Sequence, residues 1–510
     1  MASRQNTEIS VPGFAGGQAS AKGVGTLASN EMAVMDNVIL KSQGNGFRNR
    51  EGNTALNSVA LASGSATTGL GYLKTISGNE YLLAIAGSTI NVDTNFSGTF
   101  VDKTGSLTIT SGQNNLFTVF QANGILIGVG GAPDAPFKYT GTGNASLLGG
   151  SPPSGRYGFQ YGNRTFIMST AANPSSIYWS VLLNSEDWSS TGSGTADVEP
   201  NDGDFLVTAA PINLNTVILF KQNSTYLLTG RDAPFPIFPL FDDIGCIGPK
   251  ACVVNEGLAY FITAEGKMCI TDGNSIVKQA HMPDMDDVWK SFRSTRLPYI
   301  QGTVVRGADF DWIVWSGTKY ASTTNDFAAV WDIRNQCWLT CSHGFESNAY
   351  TSTQTNVVYM GGYDGKVYKL FVDGTFTDAS YSSRAVTWTV ESDWVVLDAL
   401  LSVKQVNRAN ILHQTRTTGT MTFSYGYDFA FALSDSSFSI QTTGVALWDD
   451  ALWDESIWDG YQGRIKNIFL VGRGNSFKWR LSGASAVSYD VSKVTLFGKN
   501  KSERVFDAIA

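Results

Sequence analysis

The residues of this chain best suited to bind a metal ion or to activate a nucleophile are three histidines and five cysteines. His281, His343 and His413 lie far apart, and the His-Glu-x-x-His spacing of zinc proteases does not occur. The cysteines show Cys-x5-Cys and Cys-x3-Cys spacings but no Cys-x2-Cys pair: they are Cys246, Cys252, Cys269, Cys337 and Cys341. We therefore expect no metal site, and we expect the cysteines to be buried, reduced thiols.

Motifs for covalent or phosphate chemistry are also missing from the sequence. It contains no Gly-x-Ser-x-Gly nucleophile elbow and no Gly-x4-Gly-Lys-Ser/Thr phosphate loop. The acidic run at residues 199–204 lacks the alternating aspartates and the distant glutamate of a calcium loop, so a solvated turn is the better interpretation. We predict no catalytic, cofactor-binding or metal-binding residues and no enzymatic activity. A remote carboxylate pair, as in glycosidases, stays open.

A tryptophan–aspartate pair recurs three times near the C-terminus, at intervals of five residues. The tryptophans are Trp448, Trp453 and Trp458, and an aspartate follows each of them. This spacing matches neither the helical nor the strand period. Two interpretations remain open: the indoles dock on the domain's own surface, or they anchor contacts between subunits, where tryptophan is enriched.

The composition is that of an all-β protein. The 510 residues include 53 glycines and only 16% charged residues, whereas a helical chain of this length would carry more Glu, Lys, Ala and Leu. Hydrophobic residues make up 43% of the chain and aromatic residues 12%, which is enough for a large core between sheets. We expect an ordered protein of two or three domains.

A degenerate repeat occupies residues 61–375. Each copy combines a short hydrophobic strand, a turn with Gly or Asn, and a second strand that often carries Tyr or Trp, as in residues 73–85, 156–168 and 216–228. The spacing of roughly 40 to 60 residues predicts a β-propeller of about five to seven blades. One helix is predicted over residues 283–292, which begin with several acidic residues.

From about residue 376 the strands alternate strictly between polar and apolar residues, as in residues 385–390 and 421–427. Such alternation is typical of strands with one buried face, so it predicts a β-sandwich-like domain. In chain order, we expect an N-terminal segment that packs with the sandwich (1–60), the propeller (61–375), the sandwich (376–498) and a polar tail (499–510).

The net charge of the chain argues against a protein that binds nucleic acid tightly. The formal net charge is −8 and no run of Lys and Arg occurs, whereas phosphate binding requires clustered cations. No segment approaches the ~18 apolar residues of a membrane span. The first residues contain no apolar run of signal-peptide length. We therefore expect synthesis in a reducing cytoplasm and no membrane span.

The N-terminal segment carries a distinctive series of short motifs. A Gly-rich start at residues 11–17 precedes a stretch at residues 30–38 with Glu31 and Asn37. A Gly-x-x-x-Arg-x-Gly pattern follows at residues 46–52. Further stretches lie at residues 202–246, at residues 330–338 and at residues 463–472. In this order they resemble the tail hub or nozzle proteins of short-tailed bacteriophages, a family also described as packaged-DNA stabilisation proteins.

The resemblance implies a structural virion protein that forms a ring, usually a hexamer. The ring would lie below the portal and the adaptor, which is also called the head-to-tail connector. The lumen would conduct DNA on ejection without binding it specifically, and the ring would help to retain packaged DNA. Tail fibres or a spike would dock on the outside. An acidic lumen suits this function because it repels phosphates. The implied location is the virion tail, after assembly in the host cytoplasm.

Closure of a ring requires contacts between different faces of neighbouring subunits. We expect the N-terminal segment and the sandwich to supply them, and removal of residues 1–55 should then give soluble monomers. The candidate interface residues are Glu31, Asn37, Arg48, Arg50, Trp448, Trp453 and Trp458. Two alternatives stay open: another baseplate or fibre-adaptor protein, and a propeller lectin or glycosidase.

Overall fold

The computed structural model describes residues 7–11, 13–41, 45–278, 282–396, 404–414, 418–430, 432–440 and 464–500. Strands account for 49% of the residues and helices for 5%, which confirms the all-β prediction. The strands form a β-propeller and a C-terminal β-sandwich, as the sequence predicts.

The N-terminal segment supplies seven short strands, most of which join sheets built by later parts of the chain. They are β1 (Thr7–Ser10), β2 (Gly17–Gln18), β3 (Glu31–Met32), β4 (Val34–Asp36), β5 (Val38–Leu40), β6 (Phe47–Asn49) and β7 (Thr54–Ala55). β2 and β3 pair with each other in parallel. The other five strands enter the propeller or the sandwich.

Seven four-stranded antiparallel sheets follow as blades around one axis. Blade 1 contains β8 (Thr67–Lys74), β9 (Glu80–Ala86), β10 (Thr89–Thr94) and β11 (Phe100–Asp102), and blade 2 contains β12 (Thr118–Ala122), β13 (Ile125–Val129), β14 (Phe137–Tyr139) and β15 (Ser146–Leu147). Blade 3 contains β16 (Gly155–Tyr161), β17 (Arg164–Thr170), β18 (Ser176–Trp179) and β19 (Gly194–Asp197). Blade 4 contains β20 (Leu206–Asn213), β21 (Thr216–Lys221), β22 (Thr225–Thr229) and β23 (Ile237–Phe241). Blades 5 to 7 contain β24 (Cys252–Asn255), β25 (Leu258–Ile262), β26 (Met268–Thr271), β27 (Ile276–Lys278); β28 (Gln301–Arg306), β29 (Asp311–Gly317), β30 (Phe327–Asp332), β31 (Cys337–Cys341); and β32 (Ala349–Ser352), β33 (Val358–Gly361), β34 (Val367–Lys369).

The ring of blades is closed by the N-terminal segment. The first strand of each blade contacts the first strand of the next, and β32 of blade 7 contacts β8 of blade 1. β7 pairs with β34 as the outer strand of blade 7, and the Leu56 amide donates to the Val367 carbonyl at 2.7 Å. Seven blades lie within the predicted range.

The central strands of the blades are apolar on both faces because each blade packs between two neighbours. In β21, four consecutive side chains are completely buried: Val217, Ile218, Leu219 and Phe220. The polar turns between strands use residues that tolerate positive φ. Gly78, in the first predicted hairpin turn, has a φ of +87° and open space around its Cα.

Ten further strands complete the sandwich and its link to the propeller. They are β35 (Thr377–Asp378), β36 (Arg384–Ala385), β37 (Trp388–Glu391), β38 (Val395–Val396), β39 (Lys404–Gln414), β40 (Gly419–Tyr427), β41 (Ser434–Ile440), β42 (Arg464–Phe469), β43 (Ser476–Gly483) and β44 (Asp490–Asn500). One sheet has the order β42-β39-β44-β6-β5, with β1 also on β44. The other contains β4-β37-β43-β40-β41, with β38 on β43.

The propeller and the sandwich share a sheet. β4 pairs in parallel with β31 of blade 6 and antiparallel with β37, so blade 6 continues into the sandwich as one ten-stranded sheet. A single apolar core runs through this connection, from Trp312 in blade 6 to Trp388 and Trp479 in the sandwich. The two domains are therefore joined by packing as well as by the chain.

The helix predicted over residues 283–292 is shorter than expected. The α-helix spans Asp286–Lys290 and follows a 3-10 turn at Met282–Met285. Val288 and Trp289 bury one side of it, and the chain then enters the blade 6 core at Phe292. Other 3-10 turns lie at Leu61–Gly64, Ser294–Tyr299 and Ala379–Tyr381. None of the helices described is long and apolar enough to cross a membrane.

Candidate functional site

Arg50, which the sequence analysis assigns to a subunit interface, lies inside the chain between the propeller and the sandwich. Its guanidinium makes a bidentate ion pair with Asp378, with Nη1–Oδ1 at 2.9 Å and Nη2–Oδ2 at 2.6 Å. Arg50 Nε donates to Asn37 Oδ1 at 2.8 Å, and Nη2 also donates to the His343 carbonyl at 2.7 Å. Arg50 is 2% exposed and Asp378 is fully buried.

Asn37 and His343 complete this group, which we name the joint cluster: Asn37, Arg50, His343 and Asp378. His343 Nδ1 lies 2.7 Å from Asp378 Oδ2. Asn37 donates through Nδ2 to the Thr387 carbonyl at 2.9 Å, and its φ of +56° is a conformation that Asn tolerates better than most residues. The cluster ties the N-terminal segment to the loop after blade 6 and to the start of the sandwich.

The electrostatics of the joint cluster favour a charged pair. Burial alone would raise the pKa of Asp378, but the Arg50 charge and the hydrogen bonds from His343 and Arg50 outweigh it and hold the pKa at about 2. A buried pair of this kind is costly to break, because the remaining partner keeps an uncompensated charge. In this structure Arg50 and Asn37 act within the subunit, and a role in subunit contacts stays a prediction.

Glycine is required at position 52, the last residue of the Arg-x-Gly pattern, for a steric reason. A Cβ on Gly52 would lie 1.9 Å from the Thr377 carbonyl oxygen, so only glycine allows the chain to pass this close to β35. Gly52 donates its amide to the Thr375 carbonyl at 2.7 Å. The motif therefore positions Arg50 beside Asp378.

Glu31 and Arg48 also have partners within the chain. Glu31 pairs with Lys22 at 2.6 Å and accepts the Ala28 amide at 2.8 Å. Arg48 pairs with Glu51 and, at 3.4 Å, with Asp309. The side chains of Glu31 and Arg48 are both partly exposed, so their contacts to a second subunit stay a prediction. Trp448, Trp453 and Trp458 lie outside the described residues.

At the edge of the sandwich, the end of β42 and the two residues after it are apolar on both faces, whereas the start of β42 carries polar and charged side chains. Ile468 and Leu470 point into the core, whereas Ile465, Phe469 and Val471 on the other face are 61%, 80% and 80% exposed. Within the described residues β42 pairs only with β39. We name Ile465, Phe469 and Val471 the edge patch. Two-sided apolar strands are typical of positions covered on both faces.

The propeller contains a cavity of about 380 Å³ at the mouth where the inner strands begin. It is lined by residues of blades 2 to 5 and by the segment that leads into blade 6. This volume is in the range of small-molecule sites.

The described residues hold no group of three or more His, Cys, Asp or Glu side chains suited to a metal ion. All five cysteines are free thiols, and four of them are buried. Burial raises the pKa of the Cys246 thiol to about 12, so it stays protonated at neutral pH.

His343 and Asp378 are the members of the joint cluster that the sequence analysis did not single out as a site. Their pairing with Arg50 joins residues about three hundred positions apart, which no local pattern indicates. The sequence offered one clue to this pairing, which was Arg50 itself, because a buried arginine requires a carboxylate or another acceptor beside it.

No protein-family model matches the chain, and no curated protein sequence matches it. Solved structures with a similar fold include a streptogramin B lyase, with 14% identity and a TM-score of 0.40 over 62% of this chain and 96% of that one. YCF48 from Cyanidioschyzon merolae has 13% identity and a TM-score of 0.40 over 62% and 98% of the two chains. The WD40 β-propeller domain of Doa1 has 10% identity and a TM-score of 0.39 over 62% and 96%.

The sheet order defines the chain as a β-propeller protein with an attached β-sandwich. The identities to the solved structures are too low to transfer an activity or a ligand.

Proposed function

We propose that this chain is a structural protein of the tail of a short-tailed phage, where copies of it form a ring around the DNA exit channel. In the family that the sequence resembles, the ring is usually a hexamer below the portal and the adaptor. The ring conducts DNA on ejection, helps to retain packaged DNA, and offers its outside to fibres or a spike.

The observation that carries this proposal is the edge patch on β42. Three large apolar side chains on one exposed face are costly to leave in water. Ile465 and Phe469 belong to β42, whose outer edge is unpaired within the described residues, and Val471 follows that strand. A second copy of the chain is the proposed occupant. Contacts between unlike faces of neighbouring copies close into a ring when the rotation between them is a simple fraction of a turn.

We place the conduit between subunits rather than through the propeller. The propeller cavity of about 380 Å³ is of small-molecule size, and Asn348 donates to the Gln113 carbonyl at 3.0 Å next to it. A duplex therefore requires a wider lumen formed by several copies. The net charge of −8 per chain would keep phosphates from adhering to its wall.

The proposal is tested by the double variant Phe469→Ser/Val471→Ser. We expect the native protein to sediment as a multiple of 54.9 kDa and the variant to sediment as a folded monomer, because the apolar contact is lost. Sedimentation velocity, with circular dichroism to check the fold, measures both.

The matched control is Val59→Ser/Ile76→Ser, which removes two exposed apolar side chains that lie outside the sandwich. This variant should assemble like the native protein. Assembly of the β42 variant with native mass would contradict the proposed interface, and a native monomer at high concentration would contradict self-assembly.

A further inference from the structure

We propose that the cavity at the mouth of the propeller binds a small anionic sugar, a monosaccharide unit that carries a carboxylate or a phosphate. This goes beyond the proposed tail function, because it concerns the inside of one subunit. The cavity has a volume of about 380 Å³, enough for one sugar ring with a charged substituent. Its walls include Asn114, Arg156, Tyr157, Phe205, Gln222 and Tyr299.

The first argument is a buried arginine that contacts two of the residues lining the cavity, Asn114 and Tyr299. Arg296 is 7% exposed, and its Nη1 donates to Asn114 Oδ1 at 2.5 Å. Its guanidinium carbon lies 4.5 Å from the centre of the Tyr299 ring. Nε and Nη2 are buried, and the Tyr363 hydroxyl is a hydrogen-bond partner of the guanidinium. The positive charge of Arg296 therefore lies next to the wall of the cavity, where it favours an anion inside.

The second argument is that Arg156, which lines the cavity, and Lys250, which follows a lining residue in sequence, form no salt bridge with a carboxylate among the described residues. Arg156 is exposed and lines the cavity, and Lys250 follows the lining residue Pro249. Burial lowers the pKa of Lys250 to about 8, with no acidic group opposing it. No ion pair is formed by Arg156, Lys250 or Arg296 within the part of the chain that the structure describes. This positive local charge contrasts with the net charge of −8 of the whole chain.

The carboxylate next to the cavity is already occupied. Asp204 precedes the lining residue Phe205 and accepts the backbone amide of Phe205 at 2.9 Å. It also accepts the amides of Gln222 at 3.2 Å and Asn223 at 2.9 Å. These hydrogen bonds hold Asp204 on the backbone, so it does not neutralise the arginines by an ion pair.

The other lining groups select a sugar rather than a bare anion. The rings of Tyr157, Phe205 and Tyr299 offer apolar faces on which the C–H face of a pyranose packs. The amides of Asn114 and Gln222 can exchange hydrogen bonds with hydroxyl groups. Cations, rings and amides in one cavity match a sugar that carries an anionic group.

Isothermal titration with glucuronate and glucose 6-phosphate, beside glucose and inorganic phosphate, tests this inference on the full-length protein. We expect at least one anionic sugar to bind about tenfold more tightly than either glucose or phosphate alone. Equal binding of phosphate and glucose 6-phosphate would overturn the sugar assignment. So would tighter binding of a nucleoside monophosphate, and an absence of binding by both anionic sugars would overturn the site.

Variants locate the site. Arg156→Gln should weaken binding about tenfold, and Arg296→Gln should weaken it less, because Arg296 acts through its charge next to the wall. Arg384→Gln, at an exposed arginine in β36, should leave binding unchanged. Because Arg296 is buried, thermal unfolding is recorded for each variant, and Arg156→Gln decides if Arg296→Gln does not fold. Native affinity in the Arg156 variant would overturn the inference. Ring formation does not enter this test, so its outcome is independent of the proposed tail function.

Discussion

Arg50 and Asp378 are 328 residues apart in sequence, and their pairing decides how the N-terminal segment is held. Both side chains are buried, so the ion pair is compensated only while both partners are present. The sequence indicates that Arg50 lies in a special segment, but it does not indicate the partner, because the pairing depends on how the propeller closes. Local sequence patterns report spacing along the chain and not contacts of this range.

Loss of the Asp378 charge should destabilise the protein strongly. We expect Asp378→Asn to lower the free energy of unfolding by about 3–5 kcal/mol, since Arg50 is then left buried without a counter-charge. Urea denaturation followed by tryptophan fluorescence measures this. Asp286→Asn, at the exposed pair with Lys290, is the control and should cost less than about 0.5 kcal/mol. A loss as small as that of the control would contradict the assigned role of the pair.

The same carboxyl gives the native stability a defined pH dependence. The pKa of Asp378 is about 2 in the folded chain and about 3.9 when unfolded, so the unfolded state binds more protons between these values. Its contribution is complete above about pH 5 and is lost as the pH falls towards 2. Denaturation midpoints from pH 6 to pH 2 should therefore fall more steeply for the native protein than for Asp378→Asn. Parallel curves would contradict the depressed pKa.

Gly52 tests the close approach of two backbone segments. Gly52→Ala places a Cβ against the Thr377 carbonyl oxygen, so we expect a loss of about 1–3 kcal/mol from the required shift. Gly78→Ala is a control for the neighbouring volume, since nothing lies within 4 Å of its Cβ position. In Gly78→Ala we expect only the loss of stability that comes from placing alanine at a positive φ. Equal thermal midpoints for native protein and Gly52→Ala would refute the steric argument.

At the scale of elements, the hairpins were predictable and the exchanged strands were not. The blades repeat strong apolar strands with turn residues between them, and this pattern gives the propeller and its range of blade number. β4 and β7 have three and two residues, too few for a period to be detected, and they pair with strands far along the chain. The sequence did not predict the exposure of the edge patch, because exposure depends on which other elements cover the strand.

The place of the N-terminal strands changes the expected result of truncation. Removal of residues 1–55 deletes the outer strand of blade 7, the strand that links blade 6 to the sandwich, and Arg50. We therefore expect an unstable or insoluble protein rather than the soluble monomers expected from the sequence. Expression, solubility and circular dichroism of the truncated chain distinguish the two. A soluble, folded monomer would contradict the closure role of these strands.

A single proline tests the closing strand with less disruption. Leu56→Pro removes the amide that donates to Val367, so we expect a loss of about 1–3 kcal/mol in the free energy of unfolding. Leu56→Ala keeps that amide and serves as the control for the lost side chain. Equal stability of the two variants in urea would show that the backbone hydrogen bond does not contribute.

At the scale of the whole molecule, the ten-stranded sheet makes the propeller and the sandwich one mechanical unit. A shared sheet and core resist bending between the domains, which suits a subunit of the proposed ring. The edge patch lies on the sandwich, so the proposed ring is built from sandwich domains, and the propellers remain free to contact other tail components.

Electron microscopy of the purified 510-residue chain, with its mass from light scattering, decides whether copies of it assemble into a ring. We expect closed rings with a central opening and a mass that is a whole multiple of 54.9 kDa, with six copies as the family resemblance implies. Rings that dissociate in the Phe469→Ser/Val471→Ser variant would place the sandwich edge at the contact. Single propeller-shaped particles of 54.9 kDa at high concentration would contradict the ring.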